Sequence, residues 1–110
     1  MKKVKYLLGN MGFSNKTEIK QLYRDILDSY ENNSIPNRED QIKIWHLFKH
    51  HDDYETKKGV GVKHFEIRIG PPYEFQNKCF YVIRKDDTFD DFSYPHCVGK
   101  IKKIDNKLEL

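Results

Sequence analysis

Between Val62 and Ile69 the chain alternates, with Phe65, Ile67 and Ile69 on one side of an extended strand and His64, Glu66 and Arg68 on the other. Gly70-Pro71-Pro72 ends that strand. The next run, Lys78 to Arg84, carries Cys-Phe-Tyr-Val-Ile, apolar on both faces, which predicts a central strand. The turn Lys85-Asp86-Asp87-Thr88 suits a tight hairpin into a third strand, Phe89 to Tyr94, closed by Pro95. Ahead of these strands the period is helical. Ile19, Leu22, Tyr23, Ile26, Leu27 and Tyr30 share one face, and Asn15 with Glu18 three positions on predicts a capped start. Asn32-Asn33-Ser34 breaks this helix, and Pro36-Asn37 opens a second one in which Asn37 and Asp40 cap and Ile42, Trp45 and Phe48 are expected to face inward.

The remaining segments are less patterned. Val4, Tyr6 and Leu8 give a short strand signal that stops at Gly9-Asn10. Asp52 to Gly61 reads as a polar loop ending in Gly59-Val60-Gly61, and the tail residues Ile101, Ile104 and Leu108 fit an amphipathic helix and an edge strand equally. The pattern as a whole predicts an α+β fold, two helices packed on one face of a small antiparallel sheet of three to four strands.

At 110 residues the chain holds one core, since two would each be too small to stand alone, so residues 1–110 are expected to form a single domain. No run approaches the roughly 18 apolar residues of a membrane span, and the apolar stretch after Lys2 and Lys3 is too short for a signal peptide. A cytoplasmic location and no membrane partner are the expectation. Cys79 and Cys97 are too few for a disulfide scaffold and read as reduced, small hydrophobes. The formal charge is +3, and its distribution matters more than its size. Lysines gather at Lys2, Lys3 and Lys5, at Lys57, Lys58 and Lys63, and at Lys100, Lys102, Lys103 and Lys107; a fold that joins these groups would present one face able to displace counterions from phosphates.

Candidate chemistry was weighed against plainer roles. His46 and His50 stand four apart on the second helix, and His50-His51-Asp52-Asp53 offers more donors, but the glutamate of a zinc-protease helix is absent and a solvated helix end explains both. Cys79, His64, His96 and Cys97 lack the close pairs of a zinc site, and neither cysteine has a histidine at a spacing that marks a nucleophile. Asp86-Asp87 with Asp90-Asp91 offers carboxylates for a divalent ion, yet acids at a hairpin tip are more often solvated turn residues. Gly59-Val60-Gly61 lacks the rest of a phosphate loop. No catalytic residue, metal, cofactor or small-molecule substrate is assigned, and an enzyme is not expected. What remains is cations interleaved with aromatics on strands, the combination that small sheets use to hold single-stranded nucleic acid.

A set of residues then occurs in order: Phe13-Ser14-Asn15-Lys16-Thr17-Glu18, Ile26-Leu27 with Tyr30, Leu47-Phe48 with His51, Gly59-Val60-Gly61-Val62 with Phe65, Cys79-Phe80 with Arg84, and Asp91-Phe92-Ser93-Tyr94 with Cys97. Together they resemble the DCL-like domain family, named for the plant protein defective chloroplasts and leaves. The resemblance covers about residues 9–98, leaving 99–110 as a basic tail. Three positions depart from the family's pattern: Asp52 stands where it has proline, Asp87 where it has glycine and His96 where it has lysine. In plants such domains are linked to chloroplast ribosomal RNA maturation and occur at the end of the largest subunit of a silencing RNA polymerase. The resemblance therefore implies a noncatalytic, nucleic-acid-associated and RNA-facing module. His51, Lys57, Lys63 and Arg84 are the expected phosphate contacts, and Tyr81 and Tyr94 the expected stacking rings. Ser93 is weighed between a phosphate donor and a turn cap, with the cap favoured. The rival is a protein-binding factor, such as a phage or mobile-element inhibitor of a host machine.

Overall fold

A computed structural model describes residues 3–104; Lys2, Lys107 and Leu108 of the sequence reading lie outside them. The N-terminal strand signal proves to be half of a hairpin. β1 (Tyr6–Leu8) pairs antiparallel with β2 (Met11–Phe13), Leu8 facing Met11 across Gly9 and Asn10. Gly9 takes φ +60° as the first residue of that two-residue turn, and a Cβ there would lie 2.6 Å from His46 Nε2, so glycine is required for both angle and space. β2 is an element the sequence pattern did not predict.

The first helix, α1 (Lys16–Asp28), starts where expected: the Asn15 side chain accepts the Glu18 N–H at 2.9 Å, while the Glu18 carboxylate accepts both the N–H and the hydroxyl of Ser14 at 2.8 Å. α2 (Arg38–Phe48) is likewise capped by Asn37, which accepts the Asp40 N–H. Of the expected inward residues only Phe48 faces the core. Ile44, Leu47 and Phe48 are fully buried, whereas Ile42 and Trp45 are 47% and 39% exposed. Two stripes overlap on this helix, and the one spaced i, i+3, i+4 from Ile44 is the one that meets the core.

The segment read as a loop contains a short helix, α3 (Tyr54–Lys58), ended by Gly59 at φ +54°. β3 (Val62–Ile69) and β4 (Lys78–Arg84) have the predicted bounds, and β5 (Phe89–Phe92) completes a three-stranded antiparallel sheet in the order β3-β4-β5, with β4 central. In the hairpin between β4 and β5, Asp87 takes φ +69°, an angle that aspartate tolerates better than most residues and that glycine tolerates best. The third strand stops at Phe92, earlier than predicted. Ser93 then caps α4 (Tyr94–Lys100), with Pro95 in the first turn, where its missing N–H costs nothing. The tail is neither of the two expected elements over the described residues 101–104, but the Ile104 N–H donates to the Lys5 carbonyl beside β1.

One sheet face carries Phe65, Ile67, Phe80, Val82 and Phe92 into the core, and α1, α2 and α4 cover it. Phe48 of α2 is the hub, its ring 5.4 Å from Phe65, 4.9 Å from Phe92 and 5.3 Å from Tyr54 of α3. Tyr23 of α1 packs edge-on to Phe80 and donates its hydroxyl to the Lys43 carbonyl of α2, so one buried ring ties both helices to the sheet. The fold is α+β with helices on one sheet face, as the pattern indicated. Among the described residues no helix is long and apolar enough to cross a membrane.

Candidate functional site

Three of the four expected phosphate contacts meet where α3 leans on the end of β4. Lys57 Nζ lies 3.0 Å from Asp90 Oδ2 and donates to the Asp91 carbonyl at 2.8 Å. Arg84 reaches the same Asp90 oxygen at 3.6 Å, and its Nε donates to the Lys57 carbonyl at 2.8 Å. Only 16% and 15% of these two side chains remain exposed. The bare Cα of Gly59 makes room, since a Cβ there would come within 2.9 Å of Arg84 Cδ. Asp90 thus offsets one of the two positive charges, and both cations are directed into the molecule, where they pin α3 to the hairpin. Asp90, expected as a solvated turn acid, is the shared partner of both cations.

His51 completes this cluster in the turn between α2 and α3. Burial, followed by the neighbouring Lys57 and His96, holds its pKa below the ordinary value, so its ring is neutral at pH 7. Lys63 belongs elsewhere, at the start of β3, with Nζ 2.8 Å from Asp87 Oδ1. The two expected stacking rings are also apart. Tyr81 lies on the opposite sheet face and is only 5% exposed; the Arg68 guanidinium sits 5.5 Å from its ring centre and 4.7 Å from that of Phe89. It is a packed residue, closed to a base in this arrangement. Tyr94 is half-buried against Phe80. The Ser93 hydroxyl accepts the His96 N–H and caps α4.

A second place has the character that the sequence reading looked for. Between α2 and the first half of β3 lies a groove of about 480 Å³ lined by Ile35, Pro36, Arg38, Ile42, Trp45, Lys63 and His64 among others; among the described residues no carboxylate lines it, although Asp87 holds Lys63 and Glu66 holds His64 from outside the wall. Trp45 offers an accessible ring, and Lys49 Nζ stands 4.7 Å from its centre. Arg38, Lys49 and Lys63 bring three cations to one aromatic surface. Of the expected residues only Lys63 is here. Trp45 was missed because its helical spacing suited a core position, and its signal in the sequence was the presence of Arg38 two turns before it and Lys49 one turn after it.

Of the metal candidates weighed from sequence, the cysteine sets do not gather. Cys97 is fully buried and burial pushes its thiol up to about 12, while Cys79 donates to the Phe92 carbonyl and is pushed up to about 11. Among the described residues one group of three ligating side chains converges: His51, Asp52 and His96, whose ligand atoms all lie within 4.8 Å of one another. His96 Nε2 is 2.8 Å from Asp52 Oδ1, and that hydrogen bond holds the carboxyl below its usual pKa. Asp52 and His96 are two of the three places where the chain departs from the pattern of the family it resembles, and they touch each other.

Comparison with known proteins agrees with the resemblance. The profile of a family described as "Protein of unknown function (DUF3223)" matches residues 24–98. Protein EMBRYO DEFECTIVE 514 of Arabidopsis thaliana is 38% identical over 61 residues, which is 56% of this chain and 29% of that protein. DNA-directed RNA polymerase IV subunit 1 of the same plant is 37% identical over 86 residues, 78% of this chain but 6% of the subunit. Protein DCL, chloroplastic, of Solanum lycopersicum is 34% identical over 58 residues, 52% of this chain and 25% of that protein. The chain spans less than a third of the length of each of these relatives. The solution NMR structure of an uncharacterized protein from Rhodospirillum rubrum superimposes with a TM-score of 0.76 at 26% identity, covering 88% of this chain and 91% of that one.

Proposed function

The chain belongs to the DUF3223 family, proteins of unknown function, and on that premise we propose that it is a noncatalytic module that holds single-stranded nucleic acid, RNA foremost, in the groove between α2 and β3. The observation that carries this reading is the exposed Trp45 ring flanked by Arg38, Lys49 and Lys63, with no carboxylate among the described residues that line the groove. Stacking of a base on an aromatic ring is worth about 1–3 kcal/mol, and cations beside it neutralise the phosphates that accompany the base. The similarity to a stretch of a DNA-directed RNA polymerase subunit supports a setting close to nucleic acid. The buried thiols, with pKa values raised by burial, support a role without covalent catalysis.

Trp45 is the chain's single tryptophan, so the groove reports on itself. A titration with generic single-stranded RNA at two salt concentrations should quench its fluorescence, with an affinity that falls as salt rises. No change at low salt would overturn the reading. A second reading, a protein-binding module, draws on Tyr73, Phe75 and Phe89, which expose 61%, 65% and 56% of their surface away from that groove. It predicts a stoichiometric protein complex that persists at high salt.

A further inference from the structure

His51 and Asp52 leave the end of α2 together, and His96 comes from the first turn of α4, 44 residues beyond Asp52. The supports on both sides are rigid. α4 is held by its Ser93 cap and by the buried Cys97 and Val98 that follow His96 directly, and the His51 side chain is only 10% exposed. The two rings face each other with centres 4.9 Å apart, and Asp52 Oδ1 lies between them, 3.3 Å from His51 Nδ1 and 2.8 Å from His96 Nε2. A tetrahedral ion with nitrogen and oxygen ligands at about 2.0–2.2 Å sets neighbouring ligand atoms roughly 3.3 Å apart. The carboxylate already stands near that separation from both imidazoles.

We propose that His51, Asp52 and His96 form a binding site for a borderline divalent transition-metal ion of the Zn²⁺ class, with the fourth position open to water. Two imidazoles and one carboxylate without a thiolate suit Zn²⁺, Co²⁺ or Ni²⁺ rather than Mg²⁺ or Ca²⁺. Occupation exchanges two existing contacts. The Asp53 N–H, which donates to His51 Nδ1 at 2.9 Å, is exposed and turns to water. Lys100, 3.7 Å from Asp52 Oδ2 and about half exposed, swings out on a flexible side chain. Lys57 is paired with Asp90 and so opposes the incoming ion less than a free ammonium would. The plainer alternative is a His-Asp-His hydrogen-bonded cluster that binds nothing.

The full chain titrated with Co²⁺ under visible absorption, then displaced with Zn²⁺, separates the two. One equivalent is expected, with the intense bands of four-coordinate Co²⁺ and no competition from Mg²⁺. His96→Ala and Asp52→Asn, both at exposed positions, should each weaken binding at least about tenfold. His50→Ala controls for the His46 and His50 pair and should leave the affinity unchanged. No binding by the unaltered chain, equal affinity in all three variants, or loss in His50→Ala with His96→Ala intact would each overturn the proposal.

Discussion

Gln41 holds the backbone of Phe65 with both ends of its side-chain amide: Oε1 accepts the Phe65 N–H and Nε2 donates to the Phe65 carbonyl, each at 2.7 Å. A helix side chain thus takes the place of a neighbouring strand. β3 is an edge of the sheet, and an unpaired edge invites pairing with other chains. The same edge is closed at Ile67 by the backbone of Ser34 and at Ile69 by the Asn32 side chain. Gln41→Ala is expected to leave two backbone groups of a buried residue without partners, at a cost of about 1–3 kcal/mol. Urea unfolding would show a lower midpoint at unchanged slope, and light scattering at high concentration would show self-association.

The pairing of Lys57 and Arg84 with Asp90 separates stability from binding. Both cations are largely buried and committed to Asp90 and to backbone carbonyls, so Lys57→Ala and Arg84→Ala should lower the unfolding midpoint while leaving RNA affinity within about twofold, by the loss of charge-assisted hydrogen bonds worth about 1.5–3 kcal/mol. Arg38→Ala and Lys63→Ala should do the opposite, because the Lys63 pair with Asp87 is exposed, worth at most about 1 kcal/mol, and exchanges for a phosphate. Each removes one cation from the groove, which lowers affinity for all sequences alike and reduces the slope of log affinity against log salt by about one. The reverse assignment, with the salt slope carried by Lys57 and Arg84, would move the interface to the face of α3.

How far the sequence revealed this follows from which forces act locally. β3 and β4 were legible to the residue because alternation is a property of a strand and its own two faces. The start of α1 was legible because Asn15 and Glu18 satisfy that helix's own first N–H groups. α4 was missed although Ser93 followed by Pro95 is a helix-start signal, because the aromatic residues Phe89, Phe92 and Tyr94 suggested a strand reaching as far as Pro95. The direction of Trp45 was not legible, since two apolar stripes compete on α2 and only the partner surface chooses between them. The same holds for the site. Lys57, Arg84 and Asp90 are three scattered charges in sequence, and their mutual pairing exists only once α3 lies across β4.

The two thiols should be inert in the folded protein. Burial raises both far above their ordinary pKa, Cys79 to about 11 and Cys97 to about 12, so neither carries appreciable thiolate at pH 8. A disulfide reagent such as dithionitrobenzoate is expected to modify the fully buried Cys97 only at the rate of opening, the half-buried Cys79 slowly, and both at once in urea. Fast modification of Cys97 in the native protein would mean that α4 detaches readily from the core.

Acid should weaken the fold before any carboxylate titrates, and His46 is the reason. Its ring packs over Gly9, and its Nδ1 is buried without a hydrogen-bond partner among the described residues, so a proton there would place a charge away from both water and any acceptor. Burial first, and the nearby Lys49 second, hold its pKa below the ordinary 6.5. A histidine with a lowered folded pKa binds fewer protons folded than unfolded, so its stabilising contribution is complete above about pH 6.5 and is lost as pH falls through that value toward the folded one. His50 and His51 are shifted in the same direction. Glu66 and Asp52, whose pKa values are lowered, lose their contributions only at more acidic pH, below the carboxylate range. Between pH 7.5 and 5.5, with a chelator present, the urea midpoint is therefore expected to fall, and the fall should shrink in His46→Gln, which keeps much of the volume and cannot be protonated. A midpoint that stays level or rises on acidification would show that His46 takes up its proton as readily in the folded chain as in the unfolded one.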